Sequence, residues 1–440
     1  MENFKYEVLK NNGQGEKMGG KLLEKSALTR VQVIIIAVII IISIIAVAAY
    51  YIFSRAPEEE IRIGVIGPFT GPFSRTGEEM KRASLLAVKQ VNEKGGINGK
   101  PVKVFFGDDE SKPEVGASAA EKLIVRDKVH GIAGSYHSSV TLAVMDVIAE
   151  YKIPFVNTLS LSEEIPKKIT SNYDKYKYAF HAYINSTGYA LSERAFIEYL
   201  VQEGIFTPKS KTIAIICEDT DYGRSAGGAF KKFMTEIGWT IVSEEYYPYT
   251  VTDFYPSLTK IKTLNPDILY SAGGGAPAIT FTKQLKEVNI KALILTESYT
   301  IFPEFFAAVG DAGIGIIDFI QTCEATPVGK NFTKAYIQEF NSYPTYTAGC
   351  QYDAVMILLD AMEKAHSTDP DKIVQELLKT DYEGFITTRI VFNPRSNEAI
   401  FGPGYCVAAA CQFQQAGSSF GECMYTVWPV KEREIIKTWE

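Results

Sequence analysis

The segment IRIGVIGPFTGPFSRTGEEMKRA, residues 61–83, has an apolar strand and three glycines, Gly64, Gly67 and Gly71, ahead of a predicted helix. This spacing is typical of loops that hold the phosphates of a nucleotide at a helix N-terminus. Here two prolines separate the strand from the helix, which is predicted to begin near Gly77. Its first turn would contain Glu78 and Glu79, which suit the helix dipole but would repel a phosphate. We therefore predict a loop at the edge of a cleft and no bound nucleotide.

Two adjacent serines stand at the predicted start of a helix in GSYHSSVTLAVMD, residues 134–146. The first N–H groups of a helix have no partner within the helix, and together with the helix dipole they attract an anion such as an α-carboxylate. A serine at such a position also caps helices routinely. The residues alone therefore leave two roles open for Ser138 and Ser139, a helix cap or a ligand-binding group.

A run of small polar and apolar residues follows the next predicted strand in VNTLSLSEEI, residues 156–165. At the end of a parallel strand, Leu159, Ser160 and Leu161 would offer backbone groups and a small hydroxyl to a ligand. The alternative is an ordinary polar loop.

Two further residues lie at predicted strand ends in the second half of the chain. Tyr222 follows a strand in EDTDYG, where its ring would close over a ligand while its hydroxyl forms a hydrogen bond. Glu297 ends the strand in LILTES, where its carboxylate would compensate the ammonium group of a zwitterionic ligand. The alternatives are a surface tyrosine and a glutamate that caps a loop in solvent.

No set of residues resembles a catalytic centre. A Ser-His-Asp arrangement, a metal cluster and a pair of carboxylates at a shared strand end are all missing from the pattern. The run Asp108-Asp109-Glu110 is typical of a solvated loop, and none of the four histidines is near another metal-binding residue type. We predict that the chain is not an enzyme and uses no metal and no cofactor.

The elements that position these residues alternate between strand and helix after residue 60. A first series runs from IRIGVIG to IPFVNTLS, and a second begins at KTIAIICED. Such alternation predicts parallel sheets covered by helices on both faces. Because one doubly wound sheet rarely holds so many units, we predict an α/β fold with two doubly wound lobes whose strand ends face one cleft. Residues 180–190, FHAYINSTGYA, are the predicted first crossing between the lobes.

Composition and charge exclude one class of partner. The 440 residues are 46% hydrophobic, which is enough for a large core. The formal net charge is −7, and no stripe of lysines and arginines interleaved with aromatic residues follows any segment. We therefore predict that the protein does not bind nucleic acid.

Residues 31–53 form a nearly uninterrupted apolar run, long enough for a hydrocarbon core about 30 Å thick. Basic residues precede the run and three glutamates follow it, so the positive-inside rule predicts a cytoplasmic segment over residues 1–30. We predict a transmembrane anchor over 31–53, a linker over 54–60 and an extracellular binding domain beyond it. The alternative is a cleaved signal peptide, which is usually shorter in its apolar part.

Six cysteines in an exported domain raise the question of disulfides. We predict one bridge within the C-terminal cluster of Cys406, Cys411 and Cys423, without a choice of pairing. Cys217 lies inside the apolar strand TIAIIC and is predicted to be a buried thiol.

Several segments resemble the branched-chain amino-acid binding proteins of ABC importers. They are VNEKGGINGKPV within the N-terminal part, GIAGSYHSSVTLAVMDVIAEYKIPFVN, TIAIICEDTDYGRSAGGAF and AGCQYDAVMILLDAMEKA, and the resemblance covers roughly residues 61–395. It implies the type I periplasmic binding fold, in which two lobes joined by a three-segment hinge close on an amino acid. Lobe one would comprise residues 61–184 and 322–390, and lobe two residues 185–321 and 391–440. The resemblance also implies a partner permease with its ATPase subunits.

The resemblance assigns roles to several residues. It implies a carboxylate-binding serine, a ligand-covering tyrosine and an ammonium-binding glutamate at Ser138, Tyr222 and Glu297. The family's threonine aligns with Leu161, and Ser160 or Ser162 would replace its hydroxyl after a shift of one residue.

The sequence departs from the family pattern at two further places. Gly274 or Gly275 stands where the family often has an aromatic residue, which predicts a wider pocket or a closer approach of the backbone. The family's disulfide would fall near Ser111 and His137, where both cysteines are missing.

From the resemblance we predict a solute-binding protein for a small amino acid of the branched-chain type. The alternatives are a receptor module, a protein for an amide, urea or an aromatic acid, and an α/β enzyme that uses a nucleotide.

Overall fold

The structure of the protein is a computed structural model. It describes residues 29–53, 60–320, 327–385, 389–402, 404–429 and 433–439. The chain divides into two compact units, Met1–Glu58 and Glu59–Glu440. Most of the predicted cytoplasmic segment, residues 1–28, and most of the linker, residues 54–59, lie outside the described residues.

The first unit contains one helix, α1 (Arg30–Phe53), within the residues that the structure describes. At 24 residues it is about 36 Å long, and the side chains of residues 31–47 are exposed. Its part Arg30–Val47 has the length and composition to cross a membrane. A signal sequence has the same properties, so the predicted anchor stays a prediction.

The first sheet of the second unit has five parallel strands. They are β1 (Ile61–Gly67), β2 (Val102–Asp108), β3 (Gly131–Gly134), β4 (Phe155–Asn157) and β5 (Ala179–His181), in the spatial order β2-β1-β3-β4-β5. The helices between them are α2 (Ser74–Glu93), α3 (Pro113–Val125), α4 (Ser138–Tyr151), α5 (Glu164–Ser171) and α6 (Tyr173–Tyr176). The short strands β3 and β4 are wholly buried, because helices cover both faces of the sheet.

The chain then builds a second sheet around five more parallel strands. They are β6 (Thr212–Glu218), β7 (Thr240–Tyr247), β8 (Ile268–Ala272), β9 (Leu293–Glu297) and β10 (Ile317–Ile320). The helices are α7 (Ser186–Gln202), α8 (Asp221–Glu236), α9 (Tyr255–Leu264), α10 (Gly275–Val288) and α11 (Pro303–Val309), with a 3₁₀ turn over Gly310–Gly313. At the start of α8, Thr220 is the N-cap, and its hydroxyl accepts the N–H of Gly223 at 3.1 Å.

After β10 the chain returns to the first sheet. Helices α12 (Pro327–Phe340), α13 (Tyr346–Ala365) and α14 (Pro370–Leu377) follow, and α13 packs against α2, β3 and β4. A short ribbon joins β11 (Asp381–Tyr382) to β12 (Ile390–Val391). Beyond the predicted boundary at residue 390, the N–H of His181 in β5 still bonds to the carbonyl of Asn397. The lobe boundaries predicted from the sequence stay a prediction.

The second sheet ends in a hairpin that departs from the parallel pattern. Strand β13 (Ala409–Phe413) is antiparallel to β10, and β14 (Met424–Trp428) is antiparallel to β13, with the single turn α15 (Phe420–Cys423) between them. The full order is β14-β13-β10-β9-β8-β6-β7. The connection from β13 to β14 is too short for a parallel crossover, so these two strands pair antiparallel.

The predicted C-terminal disulfide is wrong, and for Cys411 and Cys423 the register of the hairpin gives the reason. Cys411 pairs with Thr426 across the two strands, whereas Cys423 lies beyond Met424, the partner of Phe413. Three residues of strand separate the two cysteines by about 10 Å, which exceeds the span of a disulfide. The Sγ of Cys406 instead contacts the carbonyl of Arg389 at 3.8 Å, and Cys423 is a buried free thiol. Cys217 is a buried thiol, as predicted.

The glycine-rich segment also differs from its prediction in one respect. Helix α2 begins at Ser74, directly after Phe73, and not near Gly77. Glu78 and Glu79 therefore lie in the second turn. Because Pro72 precedes the helix, no residue after it interrupts the helical hydrogen bonds, and the helix extends to its earliest possible start.

Candidate ligand-binding cleft

A cavity of about 60 Å³ lies between the two sheets. Its walls come from the carboxyl ends of parallel strands in both sheets and from the helices that follow them. On the same scale one water needs about 10–15 Å³, so the cavity has room for a small molecule only.

The start of α4 forms the wall from the first sheet. Ser138 and Ser139 are its first two residues, and both line the cavity. His137 is the N-cap, and no side chain caps this helix. The hydroxyl of Ser138 accepts the N–H of Ser162 at 3.2 Å, which leaves its own hydrogen available to donate. The capping alternative is therefore wrong, and the N-cap residue of α4 offers no side-chain acceptor to the first N–H groups of the helix.

The loop after β4 contributes apolar side chains to the same wall. Leu159 and Leu161 line the cavity and are buried. Ser160 does not line it, because its hydroxyl shares a hydrogen bond of 2.5 Å with Thr141 and donates to the carbonyl of Tyr136. The hydroxyl of Ser162 accepts the N–H of Glu164 at 3.2 Å. The hydroxyl expected at this place is therefore turned away from the cavity.

The wall from the second sheet carries the acidic groups. Tyr222, the second residue of α8, lines the cavity, and its hydroxyl donates to the backbone carbonyl of Glu297 at 3.3 Å. Glu218 at the end of β6 also lines the cavity, and its Oε1 accepts the hydroxyl of Thr220 at 2.7 Å. Burial raises the pKa of Glu218 to about 7. A positive charge beside this carboxyl would favour its ionised form.

Glu297 lies deeper than predicted. It is fully buried at the end of β9, and the lining residue next to it is Ser298. Its Oε2 accepts the hydroxyl of Tyr270 at 2.9 Å, and its Oε1 has no hydrogen-bond partner among the described residues. Burial raises the pKa of Glu297 to about 8. Tyr222 lines the cavity and its hydroxyl bonds to the backbone carbonyl of Glu297, whereas Glu297 itself does not line it. The predicted contact of Glu297 with an ammonium group therefore stays a prediction.

The glycines after β8 allow aromatic rings to approach. A Cβ on Gly274 would collide with the ring of Phe302, and a Cβ on Gly275, at φ +62°, would collide with the hydroxyl of Tyr249. Of the two outcomes predicted for these glycines, the structure therefore has the close approach.

Aromatic rings from both sheets close over the cavity, and the sequence analysis did not identify them. Phe73, from the loop before α2, lies 4.4 Å from the ring of His137 and 4.8 Å from that of Tyr249, measured between ring centroids. The ring of Phe302 lies 6.1 Å from it. Phe73 belongs to the segment predicted as the edge of a cleft, but nothing in the sequence singled out its ring. Burial lowers the pKa of His137 to about 4, so this histidine is neutral at pH 7.

The acidic residues at the end of β2 accept hydrogen bonds from the loop between β1 and α2. Asp108 accepts the N–H of Phe69 at 2.9 Å and the hydroxyl of Thr70 at 2.6 Å. Asp109 is fully buried, and this burial raises its pKa to about 7. The expectation of a solvated loop is therefore wrong for Asp109, because its Oδ1 accepts the N–H of Ser111 and turns the side chain inward.

Within the part of the chain that the structure describes, no three histidine, cysteine or acidic side chains lie close enough to hold a metal ion.

A family model described as periplasmic binding protein matches residues 60–410. Among curated proteins, the Leu/Ile/Val-binding protein homolog 3 of Brucella melitensis is 28% identical over 335 residues, which cover 76% of this chain and 87% of that protein. The resemblance inferred from the sequence segments is thereby confirmed at the level of the family.

Two solved structures illustrate the likeness in fold. The branched-chain amino acid transporter substrate binding protein LivJ of Streptococcus pneumoniae, in complex with isoleucine, superposes with a TM-score of 0.71 at 21% identity and covers 84% of this chain and 100% of its own. A solute binding protein of an ABC transporter from Rhodopseudomonas palustris, in complex with 3,4-dihydroxy benzoic acid, has a TM-score of 0.67 at 22% identity and covers 82% and 98%. At these identities the likeness concerns the fold, with its two α/β lobes.

Proposed function

We propose that this chain, which belongs to the periplasmic binding protein family, captures a small α-amino acid with a branched apolar side chain in the cleft between its two sheets. One observation carries the proposal. The start of α4 and the carboxyl group of Glu218 line the same small cavity from opposite sheets. A helix N-terminus binds an anion and a carboxylate binds a cation, so the cavity is matched to a zwitterion.

The carboxylate of the ligand would bind at the first turn of α4. The N–H groups of this turn have no partner within the helix, and the hydroxyl of Ser138 retains a hydrogen to donate. Ser139 lies beside it on the cavity wall. Several weak donors together replace the water that the carboxylate loses on binding.

The ammonium group would bind at Glu218. This carboxyl lines the cavity, and its Oε1 is already oriented by the hydroxyl of Thr220. The ring of Tyr222 would cover the ligand from the same side. Glu297, which the family resemblance implies for the ammonium, is one layer deeper, and a comparison of the two glutamates decides between them.

The rest of the cavity is suited to an apolar side chain. Leu159, Leu161 and Ile301 line it together with Phe302 and Phe73. Relatives named as Leu/Ile/Val-binding proteins and a neighbour that holds isoleucine support the branched-chain class. A second class, the aromatic acids, is supported by the rings around the cavity and by the neighbour that holds 3,4-dihydroxy benzoic acid.

We further propose that the protein delivers its ligand to the permease and ATPase subunits of an ABC importer. Helix α1 would anchor it in the cell membrane, with the N-terminus in the cytoplasm and the binding unit outside the cell. The basic residues before α1 and the glutamates after it support this orientation.

A thermal-shift panel of amino acids, amides and aromatic acids on the full chain in detergent tests the proposal. A ligand at 100 times its Kd adds about 2.7 kcal/mol to the free energy of unfolding. Leucine, isoleucine or valine should raise the melting temperature more than leucinamide and 4-methylpentanoate do at the same concentration. A shift with aromatic acids alone would replace the amino-acid proposal by the second class, and no shift with any member would refute both.

A further inference from the structure

A second cavity, of about 210 Å³, lies behind the ligand-binding cleft. It is lined by Arg75 at the start of α2, by Phe306 of α11 and Ile320 of β10, by the loop before α13 and by Ser418–Phe420 of the C-terminal hairpin. Tyr346 lines both cavities, so its ring stands between them. The second cavity is more than three times the volume of the first and needs no residue of the proposed amino-acid site other than this ring.

Two residues that line this cavity have unsatisfied hydroxyl groups. Ser342 and Thr345 each have a buried hydroxyl oxygen with no hydrogen-bond partner among the described residues. A buried hydroxyl without a partner costs about 1–3 kcal/mol, and such groups in native proteins commonly bond to water or a ligand. Thr300, Ser418 and Ser419 add further hydroxyl groups to the residues that line the cavity.

A cation stands at the same cavity. Arg75 is exposed and forms no ion pair with any described residue, and the charge that acts on it from its own helix is Glu79, four residues further on. Glu79 itself accepts the hydroxyl of Tyr336 at 2.8 Å. A guanidinium presents a planar fork of N–H groups that matches a carboxylate in two parallel hydrogen bonds.

Other residues that line the cavity are aromatic and aliphatic. Phe306 and Phe420 meet edge to face with their ring centroids 6.2 Å apart, and Pro344 and Ile320 complete the apolar surface. Rings in this arrangement favour a flat aromatic body, which packs against an edge or a face at a similar distance.

We propose that this second cavity is a separate binding site for a small aromatic carboxylate of the size of benzoate. Its carboxylate would bind the guanidinium of Arg75, its ring would lie against Phe306 and Phe420, and a hydroxyl of the Ser342–Tyr346 segment would complete the contact. The site is independent of the amino-acid cleft, so it can be occupied whether or not the cleft holds its own ligand.

The probe is 4-fluorobenzoate, whose binding to the full chain in detergent is followed by ¹⁹F NMR. Arg75→Met removes the charge at similar length, and Arg395→Met is the matched control, since Arg395 is exposed and its side chain has no ion pair with the described residues. Ser342→Phe fills the cavity from one of its unpartnered hydroxyl positions. We expect Arg75→Met and Ser342→Phe to weaken binding at least tenfold and Arg395→Met to leave it unchanged.

Saturating isoleucine separates the two cavities. We expect isoleucine not to displace the probe, and a chain that fails to bind isoleucine should still bind 4-fluorobenzoate through Arg75. Displacement by isoleucine would overturn the proposal, because the probe would then occupy the first cavity. Equal affinity of Arg75→Met and Arg395→Met, or no change in the ¹⁹F signal at millimolar probe, would overturn it as well.

Discussion

The affinity of the cleft for an amino acid should rise with pH between 6 and 8. Burial raises the pKa of Glu218 to about 7 in the absence of ligand, and only the ionised carboxyl can compensate an ammonium group. With this pKa, Glu218 is about 10% ionised at pH 6 and about 90% at pH 8. The dissociation constant should therefore be about tenfold larger at pH 6 than at pH 8, since the ammonium group of the ligand stays charged across this range.

Other titratable groups near the cavity allow the source of this dependence to be identified. His137 has its pKa lowered to about 4 by burial and does not titrate in this window. Burial raises the pKa of Glu297 to about 8, so its ionisation overlaps with that of Glu218. The variants Glu218→Gln and Glu297→Gln separate the two, because each removes one titration and keeps the shape of the side chain.

The expected effect of Glu218→Gln follows from the cost of leaving one charge unpaired. Removing one partner of a buried charge pair costs about 2–5 kcal/mol, which corresponds to about thirtyfold weaker binding or more. The pH dependence between 6 and 8 should disappear together with the affinity. Glu297→Gln should retain both, apart from small changes through Tyr222.

Titration calorimetry in two buffers of different ionisation enthalpy is the assay. At pH 6 the wild type should release about one proton per ligand bound, because the ammonium group shifts Glu218 to its ionised form. Flat affinity between pH 6 and 8, or full affinity of Glu218→Gln, would refute the assignment. If Glu297→Gln alone lost the affinity and the proton release, the role implied by the family resemblance would be the correct one.

Three further predictions concern the fold and the anchor. Gly274→Ala should cost about 1–3 kcal/mol in urea denaturation, because its Cβ would collide with Phe302, whereas Gly228→Ala, which meets nothing within 4 Å, should not destabilise. The ligand-free protein should lose stability as pH rises from 5.5 to 8.5, because burial raises the pKa values of Glu297 and Asp353 to about 8, above their unfolded values; rising stability in denaturation at the two pH values would contradict this. The chain in membranes from its source should resist alkaline extraction through α1, and a mature protein that lacks this helix would show cleavage.

The strands could be predicted from the sequence because parallel strands buried on both faces are continuous apolar runs. The buried patterns of β8 and β9 illustrate this, since every residue in them is buried. The start of α4 could also be predicted, because two serines before an apolar run indicate a helix N-terminus. The role of the two serines could not, since the residues alone left a cap and a binding group open. The C-terminal hairpin was not, since short strands near cysteines carry no signal for the register that separates Cys411 from Cys423.

The different positions of Glu218 and Glu297 relative to the cavity could not be predicted from the sequence. Glu218 and Glu297 both end strands of the second sheet at the edge that faces the cleft, and the rule that led to Glu297 applies equally to Glu218. The two side chains lie at different depths because different residues form hydrogen bonds with them. The hydroxyl of Tyr270, on the adjacent strand β8, holds the Glu297 side chain inside the lobe, whereas Thr220 holds Glu218 at the cavity. Such choices of rotamer depend on contacts between strands distant in sequence, and no local pattern predicts them.

The division of the cavity between two sheets has a consequence for selectivity. The proposed anion-binding end belongs to α4 and the first sheet, and the proposed cation-binding carboxyl of Glu218 belongs to β6 and the second sheet. A ligand with both charges satisfies both walls at once and so favours the arrangement in which Phe73 meets Tyr249 and Phe302 across the cleft. A ligand with one charge would leave the opposite wall desolvated without a partner, at a cost of about 1–3 kcal/mol. 4-Methylpentanoate and leucinamide keep the branched side chain of leucine and lose one charge each, so both should bind at least fivefold more weakly than leucine. If either bound as tightly as leucine, the wall that recognises the missing charge would have no part in binding.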